Sequence, residues 1–119
     1  MKLLIVDDSG FSRRKFREAI LKEEPTLQLV EAVDGEDALQ KIELEKPDAC
    51  VTDLLMPKMD GITFLRAVKE RNLTTKVIVL SADIQDRRKD ECMELGAALF
   101  VEKPLSPAKL AQLLANLAS

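Results

Sequence analysis

The 119-residue sequence contains no histidine, tryptophan or tyrosine, and only two cysteines. Without histidine, neither a Ser-His-Asp nor a Cys-His nucleophile can be assembled within the chain, and His-ligated zinc or haem is excluded. Cys50 and Cys92 lie far apart, form no CxxC pair and are too few for a zinc cluster. Four phenylalanines are the whole aromatic complement, too few for a platform that stacks single-stranded nucleic acid. Apolar runs are a few residues long, too short to cross a bilayer. Met1 to Val6 is followed at once by Asp7 and Asp8, so no signal peptide is visible, and a cytoplasmic setting with reduced thiols is expected.

What is present suits a globular domain. Hydrophobic residues make up 46% and charged residues 33%, against disorder or a coiled coil. The length matches one domain spanning residues 1–119, with room for a sizeable core. A net charge of -3 gives no general reason to bind nucleic acid or an anionic membrane directly.

One pattern recurs along the chain: a short apolar run, a turn signal, then a helical period. Strands are predicted at Leu3 to Val6, Leu27 to Val33, Ala49 to Thr52, Val77 to Leu80 and Ala98 to Val101. Helices are predicted over Ser12 to Glu24, Glu36 to Lys46, from near Gly61, over 84–95, and after Ser106. Asp34 and Ser106 suit N-caps, Pro107 a first helical position and Gly96 a C-cap. In the last helix Leu110, Leu113, Leu114 and Leu117 form one apolar stripe. Strands joined by helices pair in parallel, and strands as apolar as Val77 to Leu80 need cover on both faces. The expected fold is therefore α/β, a doubly wound parallel sheet of five strands. Spacing alone leaves the strand order open.

In such a sheet, ligands bind beyond the carboxyl ends of the strands. Those ends carry Asp7 and Asp8, Asp53, Ser81, and Glu102 with Lys103, while Asp34 follows the second strand and can lie at the sheet edge. Three carboxylates, a hydroxyl and an ammonium can share one crevice. Gathered carboxylates repel, and either a hard cation or Lys103 relieves that. Oxygen-only ligands suit Mg2+, which retains waters and often a phosphate oxygen. No GxxxxGK[ST] or GxGxxG loop is present to cradle a nucleotide. A carboxylate can itself accept a phosphoryl group, which makes an aspartyl phosphate the sharpest chemical reading.

Four motifs then match one family. They are Ile5-Val6-Asp7-Asp8-Ser9, Thr52-Asp53-Leu54-Leu55-Met56-Pro57-Lys58-Met59-Asp60-Gly61, Ser81-Ala82 and Phe100-Val101-Glu102-Lys103-Pro104. Together, in this order and over the whole chain, they resemble the receiver domain of two-component response regulators, of the CheY-like single-domain type. The resemblance implies a flavodoxin-like sheet in the order 2-1-3-4-5. It implies that Asp53 is the phosphoacceptor, that Asp7, Asp8 and Asp53 hold Mg2+ with the backbone carbonyl of Leu55, and that Lys103 pairs with the phosphoryl group. Ser81 is then the hydroxyl that bonds a phosphoryl oxygen, and Phe100 the aromatic switch that moves with it. In the family the bond before the proline matching Pro104 is often cis.

The implied function is a phosphorylation-activated signalling switch of a two-component system. A histidine kinase or His-phosphotransfer protein donates the phosphoryl group. The output is docking to a downstream effector, with the fourth helix, fifth strand and fifth helix as candidate face, or onward transfer. The chain assists its own phosphorylation and dephosphorylation and is not otherwise expected to be an enzyme. Leu55 stands where the flagellar type has Asn, and Asp83 is acidic two residues after Ser81, so both are expected to tune hydrolysis. Competing readings are a phosphorylation-independent scaffold, a receiver cut from a longer regulator, and a phosphatase of haloacid dehalogenase type. The last wants Asp-x-Asp after the first strand, whereas Asp7 and Asp8 are adjacent. The basic run Arg87, Arg88 and Lys89 is a solvated helix face or a partner contact, and Cys50 and Cys92 are expected to be buried small hydrophobes.

Overall fold

A computed structural model describes residues 1–82 and 85–119. Strands β1 (Lys2–Val6), β2 (Gln28–Ala32), β3 (Ala49–Thr52), β4 (Lys76–Ser81) and β5 (Leu99–Glu102) alternate with helices α1 (Gly10–Glu23), α2 (Gly35–Glu45), α3 (Gly61–Glu70), α4 (Asp86–Glu94) and α5 (Pro107–Ala118). All strand pairs are parallel, and the sheet order is β2-β1-β3-β4-β5. That is the expected three-layer architecture.

The period of two along each strand divides the core. Leu3 and Ile5 of β1, Val51 of β3, and Ile78 and Leu80 of β4 pack with Phe16 and Ile20 of α1 and Leu110, Leu113 and Leu117 of α5. The alternate residues Leu4, Val6, Cys50, Val77 and Val79 pack under α2, α3 and α4, with Phe64 and Leu65. Both faces are thereby covered by helices, as continuous apolar runs require. Both cysteines are free and buried, and burial pushes the Cys50 thiol up.

Local chemistry explains the helix starts. The hydroxyl of Ser9 accepts from the Ser12 N–H, so α1 opens at Gly10, two residues before the expected start. Asp34 caps α2 through the Asp37 N–H, Asp60 caps α3 through Thr63, and Ser106 caps α5 through Lys109. Each cap contributes about 1 kcal/mol. Gly96, at φ +99°, follows α4 in the left-handed conformation that glycine allows at least cost. Ile84, expected at the start of α4, and Asp83 lie outside the described residues.

Two glycines let loops approach closely near the sheet's carboxyl edge. A Cβ on Gly61 would sit 2.5 Å from the Asp53 carbonyl oxygen, and one on Gly35 would sit 2.7 Å from Met59 Cγ. The N–H of Gly61 donates to the Leu54 carbonyl at 2.9 Å, closing the loop between β3 and α3 over the strand end.

Candidate functional site

The parallel register brings the strand ends level. The Asp53 N–H donates to the Val6 carbonyl, which places Asp53 beside Asp7. Ser81 is opposite Glu102, and the Lys103 N–H donates to the Ser81 carbonyl at 2.8 Å. Three strands thus deliver Asp7, Asp53 and Ser81 to one crevice, and Lys103 enters from the turn after β5. The Lys103–Pro104 peptide bond is cis. The Lys109 ammonium donates to the Glu102 carbonyl at 2.7 Å and the Pro104 carbonyl at 3.3 Å, which ties that turn to α5.

Asp53 is the hub. Its Oδ1 accepts from the Leu54 N–H at 2.6 Å, the Leu55 N–H at 3.3 Å and the Ser81 hydroxyl at 3.0 Å. Its Oδ2 accepts from Lys103 Nζ at 2.9 Å, and the same ammonium reaches Asp7 Oδ2 at 3.4 Å. Asp7 Oδ1 accepts from the Ser9 N–H at 2.9 Å. The three charged side chains are only 11 to 26% exposed, so their mutual attraction is weakly screened. Burial pulls the Lys103 ammonium down, but the hydrogen bond and charge of Asp53, joined by Asp7, outweigh it and raise its pKa above the ordinary lysine value.

The other acids expected at this edge differ in setting. Asp8 is exposed next to buried Asp7, at the open mouth of the strand ends. Glu102 is exposed as well, and Asp34 is committed to capping α2. Among the described residues no three carboxylates converge tightly enough to form a metal cluster by themselves. The donor set still fits Mg2+, which needs only one or two carboxylates together with waters and phosphate oxygens. Asp7, Asp8 and Asp53 supply hard oxygen donors only.

Phe100 is half-buried and packs on the core beneath α2, α3 and α4. It is opposite Val79, two residues before Ser81 on β4, so Phe100 and Ser81 share one face of the sheet. Leu55 is 57% exposed beside Asp53. Arg87 and Lys89 are exposed on α4, as a solvated face would be.

Sequence reasoning passed over several features. A cavity of about 410 Å³ opens beside Asp7, Asp53 and Lys103 and runs between α1 and the turn after β5, past Phe16, Leu80 and Leu105. Phe11 is 65% exposed, with Lys15 Nζ 5.1 Å from its ring centroid. An aromatic residue in the first turn of a helix, off its apolar stripe, was the available signal. Arg13 donates to the Asp7 carbonyl and to Glu31, a long-range contact that no local pattern announces.

Comparison with known proteins points to one family. The sequence pattern of the family described as response regulator receiver domain matches residues 3–115. A protein-glutamate methylesterase/protein-glutamine glutaminase of Treponema denticola is 41% identical over 107 residues, which cover 87% of this chain but 28% of that protein. The alkaline phosphatase synthesis transcriptional regulatory protein PhoP of Bacillus subtilis is 34% identical over 92% of this chain and 45% of its own length. The chain therefore spans less than half of either relative. The crystal structure of a CheX-CheY-BeF3-Mg complex from Borrelia burgdorferi superimposes with a TM-score of 0.89 at 34% identity, covering 100% of this chain and 90% of that one. The chain belongs to the response regulator receiver domain family, and its fold is that of a phosphorylation-activated two-component switch.

Proposed function

We propose that Asp53 is the phosphoacceptor of this receiver and that the residues around it carry the transfer. The observation that carries the reading is the Asp53 carboxylate held between the Leu54 and Leu55 N–H groups, the Ser81 hydroxyl and the Lys103 ammonium. These contacts fix the carboxylate plane, so an incoming phosphoryl group meets an oriented nucleophile. In the transfer a bond forms between an Asp53 oxygen and phosphorus as the nitrogen–phosphorus bond of a donor phosphohistidine breaks. The leaving imidazole keeps that electron pair and takes a proton. Lys103 Nζ is placed to follow the negative charge onto the phosphoryl oxygens, and the Ser81 hydroxyl can turn from Asp53 to donate to one of them.

Asp7, Asp8 and Asp53, with the Leu55 carbonyl, would hold Mg2+, which neutralises charge on the transferring group. The adjacency of Asp7 and Asp8 supports this, as does the hardness of every donor. The chain itself acts as an assisted phosphoacceptor with no further substrate. The open cavity beside Asp53, rimmed by exposed Phe11, leaves an approach for a histidine kinase or a His-phosphotransfer protein.

Ser81 and Phe100 share a face of neighbouring strands, so movement of the hydroxyl toward a phosphoryl group couples to the aromatic ring. That supports signalling through α4, β5 and α5 to an effector protein. The setting is cytoplasmic, as the reduced, buried cysteines suit. No helix among the described residues is long and apolar enough to cross a membrane. Within a longer regulator, the same switch would act on the attached domain. A phosphorylation-independent scaffold would have no need of the charged, hydrogen-bonded crevice.

Intact-mass analysis after incubation with acetyl phosphate tests the reading. Wild type should gain one phosphoryl group only with Mg2+ present, and Asp53→Asn should gain none. No addition to wild type under any condition would move the weight to the scaffold reading.

A further inference from the structure

The end of β1 needs more than its own strand to hold Asp7 and Asp8 in place. The Asp7 N–H donates to the Ala32 carbonyl at 3.2 Å, its last ladder bond. The Asp7 carbonyl, beyond the ladder, accepts from Arg13 Nη1 at 2.6 Å. Arg13 is on α1, and its Nε donates to Glu31 Oε1 at 3.0 Å. Glu31 is the β2 partner of Ile5, and its Oε2 accepts from Arg17 at 2.9 Å. The Glu31 carbonyl accepts from Lys41 of α2 at 3.0 Å. The Arg13 side chain is 18% exposed.

The planar guanidinium therefore spans two anchors. One edge is aimed by the Glu31 carboxylate, and the other grips the carbonyl of the peptide that joins Asp7 to Asp8. Fixing that peptide plane restricts ψ of Asp7 and φ of Asp8, the two backbone torsions that set how their Cα–Cβ bonds diverge. Glu31 also balances the charge of Arg13, which would otherwise repel a cation at the neighbouring acids.

We propose that Arg13, aimed by Glu31, is a positioning residue that presents Asp7 and Asp8 to Mg2+. The inference rests on the reading of those acids as the cation site. It concerns the unphosphorylated protein as well as the reaction.

The test is Mg2+ binding to the unphosphorylated protein by isothermal titration, using MgCl2 alone, followed by phosphorylation by acetyl phosphate across Mg2+ concentrations. Arg13→Ala should weaken Mg2+ binding about tenfold, the usual cost of removing a group that orients a metal ligand. Glu31→Gln should weaken it about threefold, because it loosens the aim of Arg13 and leaves that charge unbalanced. Arg17→Ala breaks only the outer ion pair and should stay within twofold of wild type. In Arg13→Ala the Mg2+ concentration for half-maximal rate should rise by the same tenfold, while the rate at saturating Mg2+ returns to within twofold of wild type. A purely structural role would lower the urea midpoint and leave Mg2+ affinity untouched.

Mg2+ affinity within twofold of wild type in both Arg13→Ala and Glu31→Gln would overturn the proposal, as would an equal loss in Arg17→Ala. Should Arg13→Ala fail to fold, Glu31→Gln against Arg17→Ala decides alone. Absence of Mg2+ binding by wild type would instead remove the cation site itself, and the proposal with it.

Discussion

Gly61→Ala puts the geometry of the acceptor loop to a quantitative test. The new Cβ would lie 2.5 Å from the Asp53 carbonyl oxygen and 2.8 Å from Leu54 Cα, both backbone atoms. Carbon–oxygen contacts of this kind settle near 3.3 Å or more. The loop must retreat by about 0.8 Å, and the part that moves carries the proposed acceptor. Crowding of this type costs about 1–3 kcal/mol. The bond from the Gly61 N–H to the Leu54 carbonyl, 2.9 Å long, is strained with it. Alanine's better helix propensity returns at most about 1 kcal/mol. The net loss should lower Tm by about 5–10 °C in a chain of this size. Displacing the nucleophile by most of an ångström should also slow phosphorylation by acetyl phosphate about 10- to 100-fold. Gly10→Ala serves as control, since its nearest outside atom is Arg13 Nη2 at 3.6 Å, an ordinary contact. Differential scanning calorimetry and intact-mass time courses read both effects. A Gly61→Ala protein with wild-type Tm and rate would refute the reasoning, because no such close approach could then exist.

Further outcomes concern the ammonium and the loop beside the acceptor. Lys103→Met leaves Asp7 and Asp53 without their cation and should cost about 1–3 kcal/mol at neutral pH, a buried-pair loss reduced for partial exposure. The same variant should bind Mg2+ more tightly while accepting phosphoryl groups more slowly, because Lys103 and the metal compete for the same carboxylates. Titration calorimetry and mass time courses check the pair of effects. The raised pKa of Lys103 means that the folded state holds this proton more tightly than the unfolded state. Its stabilisation is complete below the ordinary lysine value of about 10.4 and fades as pH rises through the folded value. Urea midpoints measured from about pH 10 upward should fall less steeply in Lys103→Met than in wild type. Leu55, apolar and exposed beside Asp53, should limit activation of hydrolytic water. Leu55→Asn should therefore lose its phosphoryl group faster than wild type, and an unchanged or slower decay would count against that role.

The sequence signals differed in how far they reached. Ala49 to Thr52 was legible to the residue because an apolar run ends abruptly at Asp53. Val77 to Leu80 fell one residue short at each end, since polar Lys76 and Ser81 continue the ladder. The start of α1 was missed because Gly10 is a poor helix former and the Ser9 cap outweighs it. Asp7, Asp53, Ser81 and Lys103 were legible as a group, because parallel strands place their ends at one edge. Strand order was not, since spacing constrains connections and not neighbours; it came from the family resemblance. The difference in burial between Asp7 and Asp8 is set where the chain leaves β1, and the grip of Arg13 on Asp7 depends on tertiary packing. Neither leaves a periodic trace in the sequence.

Borohydride reduction followed by peptide mapping addresses the central claim most directly. Reduction converts an aspartyl phosphate to homoserine, which marks the residue that carried the group. After phosphorylation by acetyl phosphate with Mg2+, the account predicts homoserine at position 53 alone. Homoserine at position 7 or 8, or at position 53 in the absence of Mg2+, would contradict it.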